Sequence, residues 1–221
     1  MTQGRLRDKA EDQPVGLATL DQVNLNKQHQ RRLDKLTANC GGSAVWRARK
    51  QVEARSLFQL SQLAPLGRMT VIDCDLRAAL KMMIALEVPV PCRDESGELM
   101  IHHGAMLGLT YMEETLRQPS PGYAFISILG PRGIWHANVA ANVPHQPLCL
   151  GATLPTGIPC VELVIAAYGA LSMQSVMVDE RDPAGVLNAD AARWWQQNTH
   201  RIPLTRTPFL SPKVGANTSA G

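Results

Sequence analysis

The sequence predicts an α+β domain: an N-terminal helix, an antiparallel β-meander, a cysteine-bearing loop, then C-terminal helices. Three observations predict it. Helical patterning follows the Gly41-Gly42 break, short strand-like runs divided by turn residues fill 69–129, and helical periodicity returns after Cys149. Strands that follow one another through short turns pair antiparallel, because a parallel return needs a long crossover.

Residues 1–43 are polar, carry charges of both signs and show no sustained apolar period, so they read as a flexible or loosely helical extension. Ser43 is placed to cap a helix over 44–63, where Val45, Ala48, Val52, Leu57 and Leu60 are expected to face inward. Arg47, Arg49, Lys50 and Arg55 are expected to face mostly outward. Ala64-Pro65-Leu66-Gly67 ends this helix.

The runs 69–74, 78–90, 98–107, 109–116 and 123–129 read as strands, although 76–86 fits a helix equally well. Arg93-Asp94-Glu95-Ser96-Gly97 and Gln118-Pro119-Ser120-Pro121-Gly122 supply the turns. Farther on, Val161, Val164, Ile165, Tyr168, Leu171 and Ser172 share one helical face, with Pro159 and Glu162 suited to its first turn. Asn188 is a good cap for a last helix bearing Asp190, Trp194 and Trp195, with Leu187 and Ala192 placed as a staple; the two tryptophans read as packing residues. The domain therefore spans 44–202, and 203–221 reads as a flexible tail.

Composition narrows the function. Hydrophobic residues make up 45% of the chain, enough for one core, and aromatics only 5%, so that core is mainly aliphatic. A net charge of +3 without a stripe of basic and aromatic residues argues against a nucleic-acid partner. No apolar run is long enough for a membrane span and no secretion signal is evident. Five cysteines without a CxxC pair point to reduced thiols and a cytoplasmic location, with Cys74, Cys92 and Cys160 as core residues. No His/Cys cluster has zinc-ligand spacing.

The chemistry concentrates in one stretch. Cys149, within Pro147-Leu148-Cys149-Leu150-Gly151, follows His136-Ala137-Asn138, which offers a thiol nucleophile and a carboxamide donor together. A histidine clearly paired to the sulfur is missing, although His136 or His145 at that position would make a cysteine hydrolase. The bland role of Cys149 is a buried structural residue, and that of Asn138 is to pin its loop.

His136-Ala137-Asn138 resembles the His-Pro-Asn signature of ubiquitin-conjugating enzymes, and Leu148-Cys149-Leu150-Gly151 resembles the segment around their thioester-forming cysteine. Asp182-Pro183 and the run from Val186 to Ala192 are similar to the crossover and short helix that follow the family's central helix. The resemblance covers roughly 44–202. Ala137 replaces the signature proline, the Asn138–Cys149 gap is longer than usual, and the tryptophan soon after the cysteine is absent. Such departures resemble a divergent branch, as in bacterial ubiquitination-like systems, with antiphage defence among the possible settings.

The resemblance implies a carrier transferase without a bound cofactor. Cys149 would take a ubiquitin-like modifier as a thioester from an activating enzyme and pass it to a lysine of a target protein. Asn138 would hold the oxyanion, with Asn142 as a rival. His136 would be mainly structural, and Asp182 (or Asp179 or Glu180) would orient the incoming amine. Arg47, Arg49, Lys50 and Arg55 would lie on the helix that meets the activating enzyme. The other readings are the hydrolase and an inactive binding module of the same fold.

Overall fold

A computed structural model describes residues 17–64, 67–140, 143–179, 181 and 185–210. Among the described residues, four α-helices, α1 (Lys27–Ala38), α2 (Ala44–Leu63), α3 (Cys160–Leu171) and α4 (Ala189–Gln197), accompany nine short strands, so the class is α+β as expected. The main sheet is antiparallel, in the order β1 (Met69–Asp75), β2 (Leu80–Leu86), β5 (Ala105–Tyr111), β7 (Ile126–Gly130) and β8 (Pro147–Leu148). A separate hairpin joins β3 (Val90–Arg93) to β4 (Leu99–His102), and β6 (Ser120–Pro121) pairs with β9 (Thr153–Leu154).

Alternation along the strands builds the core. In β2, Leu80, Met82, Ile84 and Leu86 are buried while Lys81 and Met83 face out, and Ile84 stands opposite Leu107 of β5. The inward faces of β1, β2, β5 and β7 meet Leu57, Phe58 and Leu60 of α2 and Val161, Val164 and Ala167 of α3 in one cluster. The stretch that fitted a helix equally well is thus strand from Leu80. The run 98–107 divides at a turn, and its second half continues to Tyr111 because the alternation persists through Gly108. Glu113–Leu116 is a 3₁₀ turn rather than strand.

Helix α2 has the expected bounds and the expected Ser43 cap, which accepts the Trp46 N–H, but its rotation differs from expectation. Val45 and Val52 are exposed, whereas Trp46, Lys50, Glu53, Ala54, Leu57 and Phe58 are buried. Two charged residues on the inward face broke the apolar period. Lys50 Nζ donates to the carbonyls of Gly41 (2.8 Å), Leu76 and Ala78 (3.0 Å), which uses all three ammonium protons and ties α2 to the turn before β2. Glu53 accepts the Cys160 N–H at 2.7 Å and pairs with Arg49 at 2.7 Å, so it caps α3 from α2.

The segment expected to be a flexible extension is ordered over much of its described length. Asn26 caps α1 by accepting the His29 N–H, Leu33 joins the core, and Arg32 donates to the carbonyls of Val71 (2.8 Å) and Ile72 (3.0 Å). The expected tail is likewise anchored through 210. Phe209 is buried edge-on to Tyr168 at 5.3 Å, and Arg68 donates to its carbonyl at 2.7 Å. Residues 211–221 lie outside the described residues. Among the described residues no helix is long and apolar enough to cross a membrane.

Candidate active site around Cys149

Backbone pairing brings the two chemistry-bearing segments together. Leu148 pairs with Ile126 of the main sheet and bridges to Val139 on its other side. The Cys149 N–H donates to the Asn138 carbonyl at 2.8 Å, and the Ala140 N–H to the Pro147 carbonyl at 3.0 Å. These two bonds join the segments directly, so the longer gap in sequence does not separate Asn138 from Cys149. Downstream, Gly122 and Gly151 abut so closely that a Cβ on Gly122 would lie 2.0 Å from the Gly151 carbonyl oxygen. Gly151 itself has φ of +132°, which only glycine adopts readily.

Cys149 is buried, with its thiol donating to the Gly151 carbonyl at 3.3 Å. It lines a cleft of about 390 Å³ with Asn138, Gly151, Ala152, Ala166, Ala170 and Gly185, among others. Small uncharged residues dominate these walls, and among the described residues Cys149 is the cleft's one ionisable group.

His136 is fully buried and committed elsewhere. Its Nδ1 accepts the Asn138 N–H at 3.0 Å, and its Nε2 lies 2.9 Å from the Ala170 carbonyl. Because one partner is only a donor and the other only an acceptor, the proton resides on Nε2. Burial holds the pKa down at about 4, so the ring is neutral, and it joins the His136-Ala137-Asn138 segment to α3. His145 is exposed, has φ of 55°, and lines a different cavity with Arg132 and Trp135.

Asn138 pins its surroundings. Its Oδ1 accepts the Met177 N–H at 3.1 Å, while Nδ2 donates to the carbonyls of Met177 (3.2 Å) and Gly185. Both amide protons are therefore engaged in this state, and an oxyanion would have to displace one of these carbonyls. Asp182, Asn142 and Glu180 lie outside the described residues; Asp179 is exposed and accepts the Arg181 N–H at 3.0 Å.

The basic residues expected to share a docking face are dispersed. Arg47 and Arg55 are exposed. Lys50 is buried under three carbonyls, and Arg49 is bound to Glu53 and to the Gly157 carbonyl at 2.6 Å; both serve the fold because α2 turns that face inward.

Sequence reasoning missed Ala170, Met177 and Gly185. They position His136 and Asn138 through backbone groups, which every residue possesses, so no side-chain signal marked them. Glu53 was also missed; its spacing from Arg49 was the available clue. Comparison of the chain with protein-family models, with curated proteins and with solved structures finds no match.

Proposed function

We propose that this chain is a ubiquitin-conjugating-like carrier enzyme of the cytoplasm. The Cys149 sulfur attacks the thioester that joins a ubiquitin-like modifier to its activating enzyme; the modifier's acyl carbon bonds to Cys149 and the activating enzyme's thiol leaves. A target amine then attacks the Cys149 thioester, an amide forms, and the thiol is regenerated. ATP is consumed by the activating enzyme, so this chain needs no cofactor of its own.

The observation that carries the reading is the hydrogen bond from Cys149 to Asn138, which ties the reactive thiol to the His136-Ala137-Asn138 segment beside a neutral cleft. Thioester exchange is nearly balanced in energy and sulfur is intrinsically a strong nucleophile, so a histidine on the sulfur is unnecessary. The α+β order of helix, antiparallel sheet, cysteine loop and helix supports the same reading. On it, Asp182 orients the incoming lysine and exposed Arg47 and Arg55 steer association with the activating enzyme. A hydrolase would require a histidine on Cys149, but His136 uses both nitrogens elsewhere and His145 lines another cavity.

The test is a non-reducing gel after incubation with host lysate and ATP, comparing wild type with Cys149→Ala. An ATP-dependent adduct that thiol reductants remove, present only in wild type, is the expected result. Absence of that adduct when activating components are demonstrably present would overturn the carrier reading.

A further inference from the structure

Strand β4 (Leu99–His102) is an outer edge, and its backbone polarity can be read from its neighbours. Pro91 stands opposite Ile101, has no N–H, and offers its carbonyl to Trp135 N–H at 2.8 Å on the far side of β3. Arg93 N–H also points that way, to Gly133 (2.8 Å), whereas Asp94 N–H points to the Glu98 carbonyl at 3.1 Å. The rungs of this hairpin are therefore Val90 with His102 and Cys92 with Met100. Leu99 and Ile101 aim their N–H and C=O groups at the outer edge, where no other described element bonds to them.

That edge lacks the usual protection. Met100 and Ile101 are 44% and 36% exposed, and β4 contains no lysine, proline or bulge. We propose that a second copy of this chain pairs with β4 antiparallel, joining the two hairpins into one four-stranded sheet about a two-fold axis. Only outward-facing residues exchange bonds, so Leu99 must pair with an odd-numbered residue of the copy. Pairing it with Ile101 matches two apolar residues and places Met100 against the second copy's Met100. The same register sets the acceptor carboxylate of Glu98 opposite the imidazole N–H donor of the second copy's His102, twice by symmetry, and both residues are exposed. A shift of two residues places His102 opposite Met100 and loses that donor–acceptor match. The occupant is thus this chain itself, in one register.

Sedimentation equilibrium of the full chain over a wide concentration range tests the proposal. Wild type is expected to dimerise reversibly. Met100→Lys opposes two ammonium groups across the axis and is expected to weaken the dimer by about tenfold or more. Glu98→Lys is expected to weaken it, and adding His102→Glu to restore it. Far-UV circular dichroism confirms that each variant retains its fold. A monomer at every concentration overturns the proposal, as does a dimer indifferent to Met100→Lys. Failure of the charge exchange to restore association overturns the register, and the proposal with it.

Discussion

The backbone N–H of Cys149 donates to the carbonyl of Asn138 across 2.8 Å, so the thiol and the carboxamide ride on two stitched segments. That bond makes the His136-Ala137-Asn138 segment and the cysteine one unit, and the support of each member can be tested separately.

Asn138 makes three side-chain hydrogen bonds that hold Met177 and Gly185 beside the cleft. Asn138→Ala leaves buried groups unpaired and is expected to cost about 2–4 kcal/mol in urea denaturation. Asn138→Asp sets a carboxylate against two carbonyls and should be at least as damaging. Wild-type stability in both variants would refute the pinning role.

His136 links pH to stability. Its folded pKa of about 4 lies below the ordinary 6.5, so protonation favours the unfolded chain. The contribution, about 3 kcal/mol, is fully present above pH 6.5 and disappears as pH falls toward 4. Urea midpoints measured across that window should fall in wild type and respond less in His136→Gln.

Lys50 and Arg55 provide a contrast on one helix. Lys50→Met strands three carbonyls and is expected to cost about 3 kcal/mol, while exposed Arg55→Ala should stay within about 0.5 kcal/mol of wild type. Thermal denaturation decides it; a neutral Lys50→Met would mean that those carbonyls find other partners.

Gly122→Ala forces a Cβ onto the Gly151 carbonyl, and the loop bearing Cys149 must move. The expected result is a lower Tm together with faster alkylation of Cys149, whose burial the displaced loop can no longer maintain. Unchanged alkylation kinetics would show that the loop absorbs the strain elsewhere.

Much of the fold was legible because its signals are local. Caps at Ser43 and Asn188, proline at the entrance to α3 and turn residues between strands act on their own neighbours, and the helices formed where those signals stood. The inward face of α2 was not legible, since Lys50 and Glu53 become good interior residues only when distant carbonyls and the α3 N-terminus meet them. Helix α1 was hidden for a related reason: its mostly polar surface buries Leu33 and packs only Leu36 beside it against the core, and Arg32 finds its acceptors on β1.

The sequence by itself determined the α+β class and the order of elements from α2 onward, and it singled out Cys149 and Asn138, because propensity, periodicity and motif spacing are properties of the chain. Tertiary structure alone decided that His136 turns to α3, that Asn138 engages Met177 and Gly185, and that His145 faces another cavity. Those outcomes depend on backbone carbonyls brought close by the packing of the sheet against α3, and a carbonyl has no identity in the sequence until the fold positions it.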